Sequence, residues 1–170
     1  MLFDCGIINN IKDVISMGDI DMLNYVLSTN HIKSDELKNI IDIDGNNALH
    51  WCGTINGENL TLYLILLGIN INKYNNKKQL PLHIHSLCNC LYGVTCLLSN
   101  GSIINAYCDI EYNTYNTIPI NNTDYTNNSD LNTTNNHEKK NAFMNPLGIA
   151  ELYKYNELKI VLLRYNAKKL

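Results

Sequence analysis

The 170-residue sequence has no long apolar run, no long basic run, three prolines and one tryptophan. A membrane-spanning helix needs roughly 18 or more consecutive apolar residues, and no stretch approaches that, so no membrane insertion is expected. The opening Met1-Leu2-Phe3-Asp4-Cys5-Gly6 lacks a basic segment, and Asp4 interrupts its short apolar stretch, which argues against a signal peptide. A net charge of −3 without basic and aromatic residues interleaved makes nucleic acid a poor partner. Also missing are G-x-S-x-G, a phosphate-binding glycine loop and any carboxylate pair spaced for acid–base work. The expectation is a protein that is not an enzyme and carries no cofactor. Six cysteines could form three disulfides, but without a secretory signal reduced thiols are expected, placing the chain in the cytoplasm or nucleus.

Asparagine is abundant, with 29 residues. It falls in expected loops and helices alike, as the coding bias of an A+T-rich genome would produce. Three N-x-S/T sequons in the Asn-rich segment, beginning at Asn121, Asn127 and Asn132, are expected by chance at this density and are assigned no glycans.

The informative positive feature is a step of 33 residues. His50 returns as His83, Gly68 as Gly101 and Asn72 as Asn105; Leu49/Leu82, Asn56/Asn89, Leu64/Leu97 and Ile71/Ile104 keep the same interval. A period in the 20–50 range marks stacked repeats, in which each unit leaves an apolar face for its neighbour to cover. The clearest unit begins with the turn Asp44-Gly45-Asn46 and a short helix over Ala48 to Cys52. A break at Asn56-Gly57 and a second helix from Glu58 to Leu67 follow, with Leu60, Tyr63, Leu64 and Leu67 on one face. Gly68 stops that helix, and Ile69 to Asn72 leads extended into the next turn.

Ala48-Leu49-His50 with Gly68-Ile69-Asn70-Ile71-Asn72, and Leu80-Pro81-Leu82-His83 with Gly101-Ser102-Ile103-Ile104-Asn105, resemble ankyrin repeats. That family has a T-P-L-H turn into its first helix and a G-A-D-V-N exit from its second. Asn145-Pro146-Leu147-Gly148-Ile149-Ala150 with Leu158, Val161, Leu162, Leu163 and Asn166-Ala167 is similar to a final repeat, and Ile11 to Leu27, broken at Gly18, to a degenerate first one.

The resemblance implies an all-α solenoid of stacked helix-turn-helix units with short hairpin fingers. Its divisions are a first repeat over 1–41 with an extra helical turn in Ser34 to Ile41, repeats over 42–74 and 75–107, and a last repeat over 108–170. The turn threonine of the family is replaced by Asn47, Leu80 and Asn145, so the bond from histidine to hydroxyl must be missing or remade by amides. The fourth turn arrives about 32 residues late. The surplus, about 113–141, is rich in Asn and Thr, and reads as a disordered insertion in a finger.

His83, His85, Cys88, Cys90 and Cys96 together resemble a zinc motif in their spacing. The repeat register opposes this: His83 is a turn residue, Cys90 lies in a break, and Cys96 falls at a core position of the second helix. No metal site is expected. An alternative keeps a metal-binding or redox-sensitive role for His85, Cys88 and Cys52, because His85 and Cys52 hold the same slot in successive repeats. Asp42 and Asp44 read as turn residues that cap a helix, and Trp51 as packing or as an exposed anchor.

By resemblance the chain is a protein-protein interaction module. It is an adaptor, scaffold or regulatory inhibitor, expected as a monomer, that docks another protein on its fingers and the exposed side of each first helix. Carried onto this register, the docking positions are Asp44, Asn46, Thr54 and Ile55, then Tyr74, Lys77, Gln79 and Cys88, then Tyr107 and Tyr153.

Overall fold

The computed structural model describes residues 5–33, 35–54, 58–113 and 139–167. The described residues are mostly helical, with one two-stranded sheet among them. Eight α-helices lie among the described residues: α1 Cys5–Met17, α2 Ile20–Thr29, α3 Ala48–Trp51, α4 Glu58–Leu66, α5 Pro81–Leu87, α6 Leu91–Ser99, α7 Pro146–Leu152 and α8 Asn156–Arg164. The strands are β1 Cys108–Asn113 and β2 Lys139–Met144. Where an extra helical turn was expected after α2, a short 3-10 turn, Leu37–Asn39, buries Leu37.

The helices follow from apolar spacing and from repeated stop signals. α1 buries Ile11, Val14 and Ile15, and α2 buries Leu23, Val26 and Leu27, both at i, i+3, i+4 spacing. The ends of α2, α4, α6 and α8 share one motif. The carbonyls of Leu27, Leu64, Leu97 and Leu162 accept from the N–H five residues on, at Ile32, Ile69, Ser102 and Ala167. The carbonyls of Ser28, Ile65, Leu98 and Leu163 accept from His31, Gly68, Gly101 and Asn166. Those last four residues have φ of 56°, 80°, 92° and 65°. The paired bonds consume carbonyls that a helix end would otherwise leave unmatched. Glycine adopts this left-handed backbone freely and asparagine at small cost; His31 is the strained member of the set.

Successive helices pack in two rows: α1 against α3, α3 against α5, α5 against α7, and α4 against α6, α6 against α8. Within each pair, α1 packs on α2, α3 on α4, α5 on α6 and α7 on α8. One continuous apolar core runs through the helices from Ile11 to Leu162. A second, smaller cluster of Cys108, Ile110 and Ile149 lies under the sheet, with Leu87, Met144 and Tyr153 at its margin.

Between the helix pairs the chain doubles back in fingers. Asp42 N–H donates to the Asn46 carbonyl at 3.0 Å, and Asn75 N–H to the Gln79 carbonyl at 2.9 Å, closing two tight hairpins. The third finger is the antiparallel pair β1–β2, in register from Cys108↔Met144 to Asn113↔Lys139. The closing residues are four apart at Asn75 and Gln79 and 36 apart at Cys108 and Met144, a difference of 32. The surplus therefore sits inside a finger. Its expected bounds of 113–141 are corrected, because Asn113 and residues 139–141 belong to paired strands. Alternation explains them: Cys108 and Ile110 face the small core while Asp109 and Glu111 are exposed. The rest of the expected insertion lies outside the described residues.

Candidate functional site

The entries into α3, α5 and α7 position the surface facing the fingers. Asn47 caps α3, its Oδ1 accepting from His50 N–H at 3.3 Å, and Asn145 caps α7, its Oδ1 accepting from Gly148 N–H at 2.9 Å. The amides thus replace the expected threonine at two turns. Leu80 offers no side-chain acceptor, and Pro81 at the first helical position needs no backbone donor to be satisfied there.

The two turn histidines repeat one arrangement. His50 Nδ1 accepts from Asn47 N–H at 3.2 Å and its Nε2 faces the Gln79 carbonyl at 3.1 Å. His83 Nδ1 accepts from Leu80 N–H at 3.0 Å and its Nε2 faces the Ala106 carbonyl at 3.0 Å. In His83 the proton therefore resides on Nε2; His50 Nδ1 also lies 2.8 Å from Asn47 Oδ1, so both nitrogens of that ring face an oxygen, and each ring bridges its own turn to the following finger. Burial pushes both imidazoles down to about 4, so they are neutral at pH 7.

At the base of each short finger a side-chain oxygen gathers two backbone donors. Asp42 Oδ1 accepts from Asp44 N–H at 3.0 Å and Asn46 N–H at 2.8 Å. Asn75 Oδ1, one 33-residue step later, accepts from Lys77 N–H at 3.0 Å and Gln79 N–H at 2.8 Å. Asp42 also receives Trp51 Nε1–H at 2.9 Å and pairs with Lys12 at 3.5 Å. Burial works to raise the Asp42 pKa, but bonds from Asn46 and Trp51 and the Lys12 charge outweigh it, and the carboxyl stays below its usual range. The expected helix-capping role of Asp42 and Asp44 is thus corrected: Asp42 closes a finger, and the cap is Asn47. Trp51 is 3% exposed and serves packing rather than an exposed anchor.

The fingers are tied to one another. Asn76 N–H donates to the Asp44 carbonyl at 2.8 Å, Asn76 Nδ2 to the Ile43 carbonyl at 3.0 Å and Asn75 Nδ2 to Asn46 Oδ1 at 2.9 Å. Asn72 bridges further along, donating to the Gly101 carbonyl and accepting from Ile103 N–H. These asparagines connect one helix pair to the next.

This framework borders a groove of about 260 Å³ in which Asp44, Asn46, Lys77 and Gln79 meet Lys12, His50 and Trp51, with Ile84 beneath. Four of the expected docking positions thus come together. Tyr74 is 49% exposed but does not line the groove. Tyr107 is stacked on Phe143 with centroids 5.3 Å apart, and Tyr153 on Tyr155 at 5.7 Å. Cys88 caps the end of α5, half-buried and outside the groove. The backbone of Thr54 closes a 3-10 turn, Cys52–Thr54, while Ile55 lies outside the described residues. Lys12 and Ser16 were not legible as groove residues, because α1 lacks the repeat's turn motif.

The His/Cys set is divided. Cys52 Sγ does approach His85 Nε2, at 3.7 Å. Cys88 does not complete a ligand group with them: no cluster of three His, Cys, Asp or Glu side chains able to hold a metal occurs among the described residues. Burial pushes the Cys52 thiol up to about 12 and the Cys88 thiol to about 11, which opposes the thiolate that a ligand or nucleophile requires. Cys96 is half-buried on α6 rather than in the core. No family model matches the chain, and no curated protein matches it.

Proposed function

We propose that the chain is an ankyrin-like stack of four helix pairs and acts as a non-enzymatic protein-binding module. One observation carries the reading. A groove spanning three helix pairs gathers the polar side chains of two fingers over Trp51 and Ile84, on the side where the resemblance puts a docked partner. Rigid fingers support it, since a surface already ordered loses little entropy on binding. Asp44 and Lys77 place opposite charges on the groove, which suits recognition of an extended polar segment of a partner protein. No helix among the described residues is long and apolar enough to cross a membrane. We place the protein in the cytoplasm or nucleus as a monomer.

The test is recovery of a partner by the tagged chain from its native cells, compared with Asp44→Ala/Lys77→Ala and with Tyr74→Ala. The double variant should lose a stoichiometric partner with helical content unchanged, while Tyr74→Ala reports on the finger surface outside the groove. Equal recovery by wild type and double variant would remove the groove from the reading.

A further inference from the structure

His85 is enclosed where the second and third helix pairs meet. Its side chain is 0% exposed, and its Nε2 lies 3.0 Å from the Leu49 carbonyl on α3, so the proton there ties α5 to the preceding pair. Two glycines hold the ring. A Cβ at Gly53 would stand 2.8 Å from His85 Cδ2, and one at Gly93 would overlap His85 Nδ1 itself. The other ring nitrogen, Nδ1, has no hydrogen-bond partner among the described residues. The side chain is therefore built in as a neutral donor with one nitrogen idle.

Among the described residues no carboxylate acts on the ring to balance a positive charge. From α3 and the 3-10 turn after it, the titratable neighbours are His50 and Cys52; from the cap of α6 it is Cys90, beside the ring at Gly93. The carboxylate on α7, Glu151, is paired with Lys159 at 3.0 Å. A buried cation with neither counter-ion nor acceptor for its second N–H is strongly disfavoured.

We propose that His85 is a proton-sensitive joint: neutral, it locks α5 onto α3 and α6, and on protonation it leaves its enclosure and the two helix pairs part there first. The two groove-lining neighbours of this joint, Trp51 on α3 and Ile84 on α5, would separate with it. Burial sets the direction, pushing the imidazole down to about 4, so the unfolded or opened form takes the proton first as pH falls.

The test is amide hydrogen exchange on the full chain between pH 7 and pH 5, with rates corrected for the intrinsic effect of pH. No partner is needed, so the outcome is independent of the binding reading. In wild type, protection over α5 and the start of α6 should fall by at least about tenfold per pH unit below 6.5, more steeply than over α1 and α2. His85→Gln keeps an N–H for the Leu49 carbonyl but cannot titrate in this range, so the decline of its α5 protection should become shallower by about tenfold per pH unit, the part that remains coming from His50 and His83. The pH dependence, not the absolute protection, is the readout, so an overall loss of stability in His85→Gln does not affect it. A uniform loss over all helices in wild type, or an unchanged pH dependence at α5 in His85→Gln, would overturn the proposal. A ¹⁵N chemical shift of the native imidazole showing a proton on Nδ1 rather than Nε2 at pH 7 would do the same.

Discussion

The two short fingers and the long third one solve the same problem with different chemistry. Each must reverse the chain between a second helix and the next first helix. In Asp42–Asn46 and Asn75–Gln79, a side-chain oxygen at the base collects two backbone N–H groups, so five residues suffice and no apolar cluster is needed. In the third finger the step from Asp42 and Asn75 leads to Cys108, whose thiol is a poor acceptor. There the chain is held by a six-residue ladder and by Ile110 and Cys108 packed on Ile149. The difference teaches where an insertion can be accommodated: a finger without its polar clasp must be held by pairing and burial instead.

Acid should produce the largest change, because His50 and His83 are the links from both kinds of finger to the helix pairs. Their native pKa of about 4 lies below the ordinary value of 6.5. As pH falls from 6.5 towards 4 the unfolded chain binds protons that the native chain does not, so stability is full above 6.5 and declines below it. Each histidine contributes about 1.4 kcal/mol of loss per pH unit in that window. Urea midpoints measured from pH 7.5 to pH 4.5 should drop steeply, and His83→Gln should make the decline shallower by one proton. A midpoint that does not move with pH would show that the rings are not enclosed as neutral donors.

Next in size is Ile110→Ala, which empties the small core under the long finger. A buried isoleucine cut to alanine costs about 2–5 kcal/mol. Because this cluster is separate from the main core, the loss should appear as early exchange of β1, β2 and α7 amides while α1 to α4 stay protected. Asn75→Ala should come third. It removes the acceptor for Lys77 and Gln79 N–H and the donor to Asn46, and unsatisfied buried groups of this kind cost about 1–3 kcal/mol. Asn75→Asp retains the acceptor and should recover most of the loss, whereas an equal loss in both variants would deny the clasp its role.

Much of this architecture was legible in the chain, for local reasons. The left-handed positions at Gly68, Gly101 and Asn166 are tied to residue types that tolerate them, and helix ends follow directly from that tolerance. The size of the surplus in the third finger came from counting against the 33-residue step. The clasps were hidden because Asp42 and Asn75 differ in type and looked like ordinary turn residues in an asparagine-rich background. Only coordinates reveal that both oxygens accept the same two bonds. The groove was half legible: finger residues carry the repeat register, whereas Lys12 reaches it from α1 through tertiary packing. The alternation in Cys108-Asp109-Ile110-Glu111 was a strand signal that the sequence reading did not use, since the expected insertion began only at about residue 113.

The smallest expected effect is also the most direct exchange between the two designs. Replacing residues 109–143 by a copy of Asn76-Lys77-Lys78, together with Cys108→Asn and Met144→Gln, converts the long finger into the short kind. Shortening the closed segment from 35 residues to three recovers about 2 kcal/mol of closure entropy on a logarithmic scale. Against that, removing Ile110 forfeits about 1.5–3 kcal/mol of burial. The terms nearly cancel, so the variant should fold with thermal stability close to that of the parent, and an asparagine at position 108 should then accept from the backbone N–H groups two and four residues on. If instead α7 and α8 lose protection although the clasp residues are present, the ladder does more than reverse the chain. The strands would then be the support on which the last helix pair is seated.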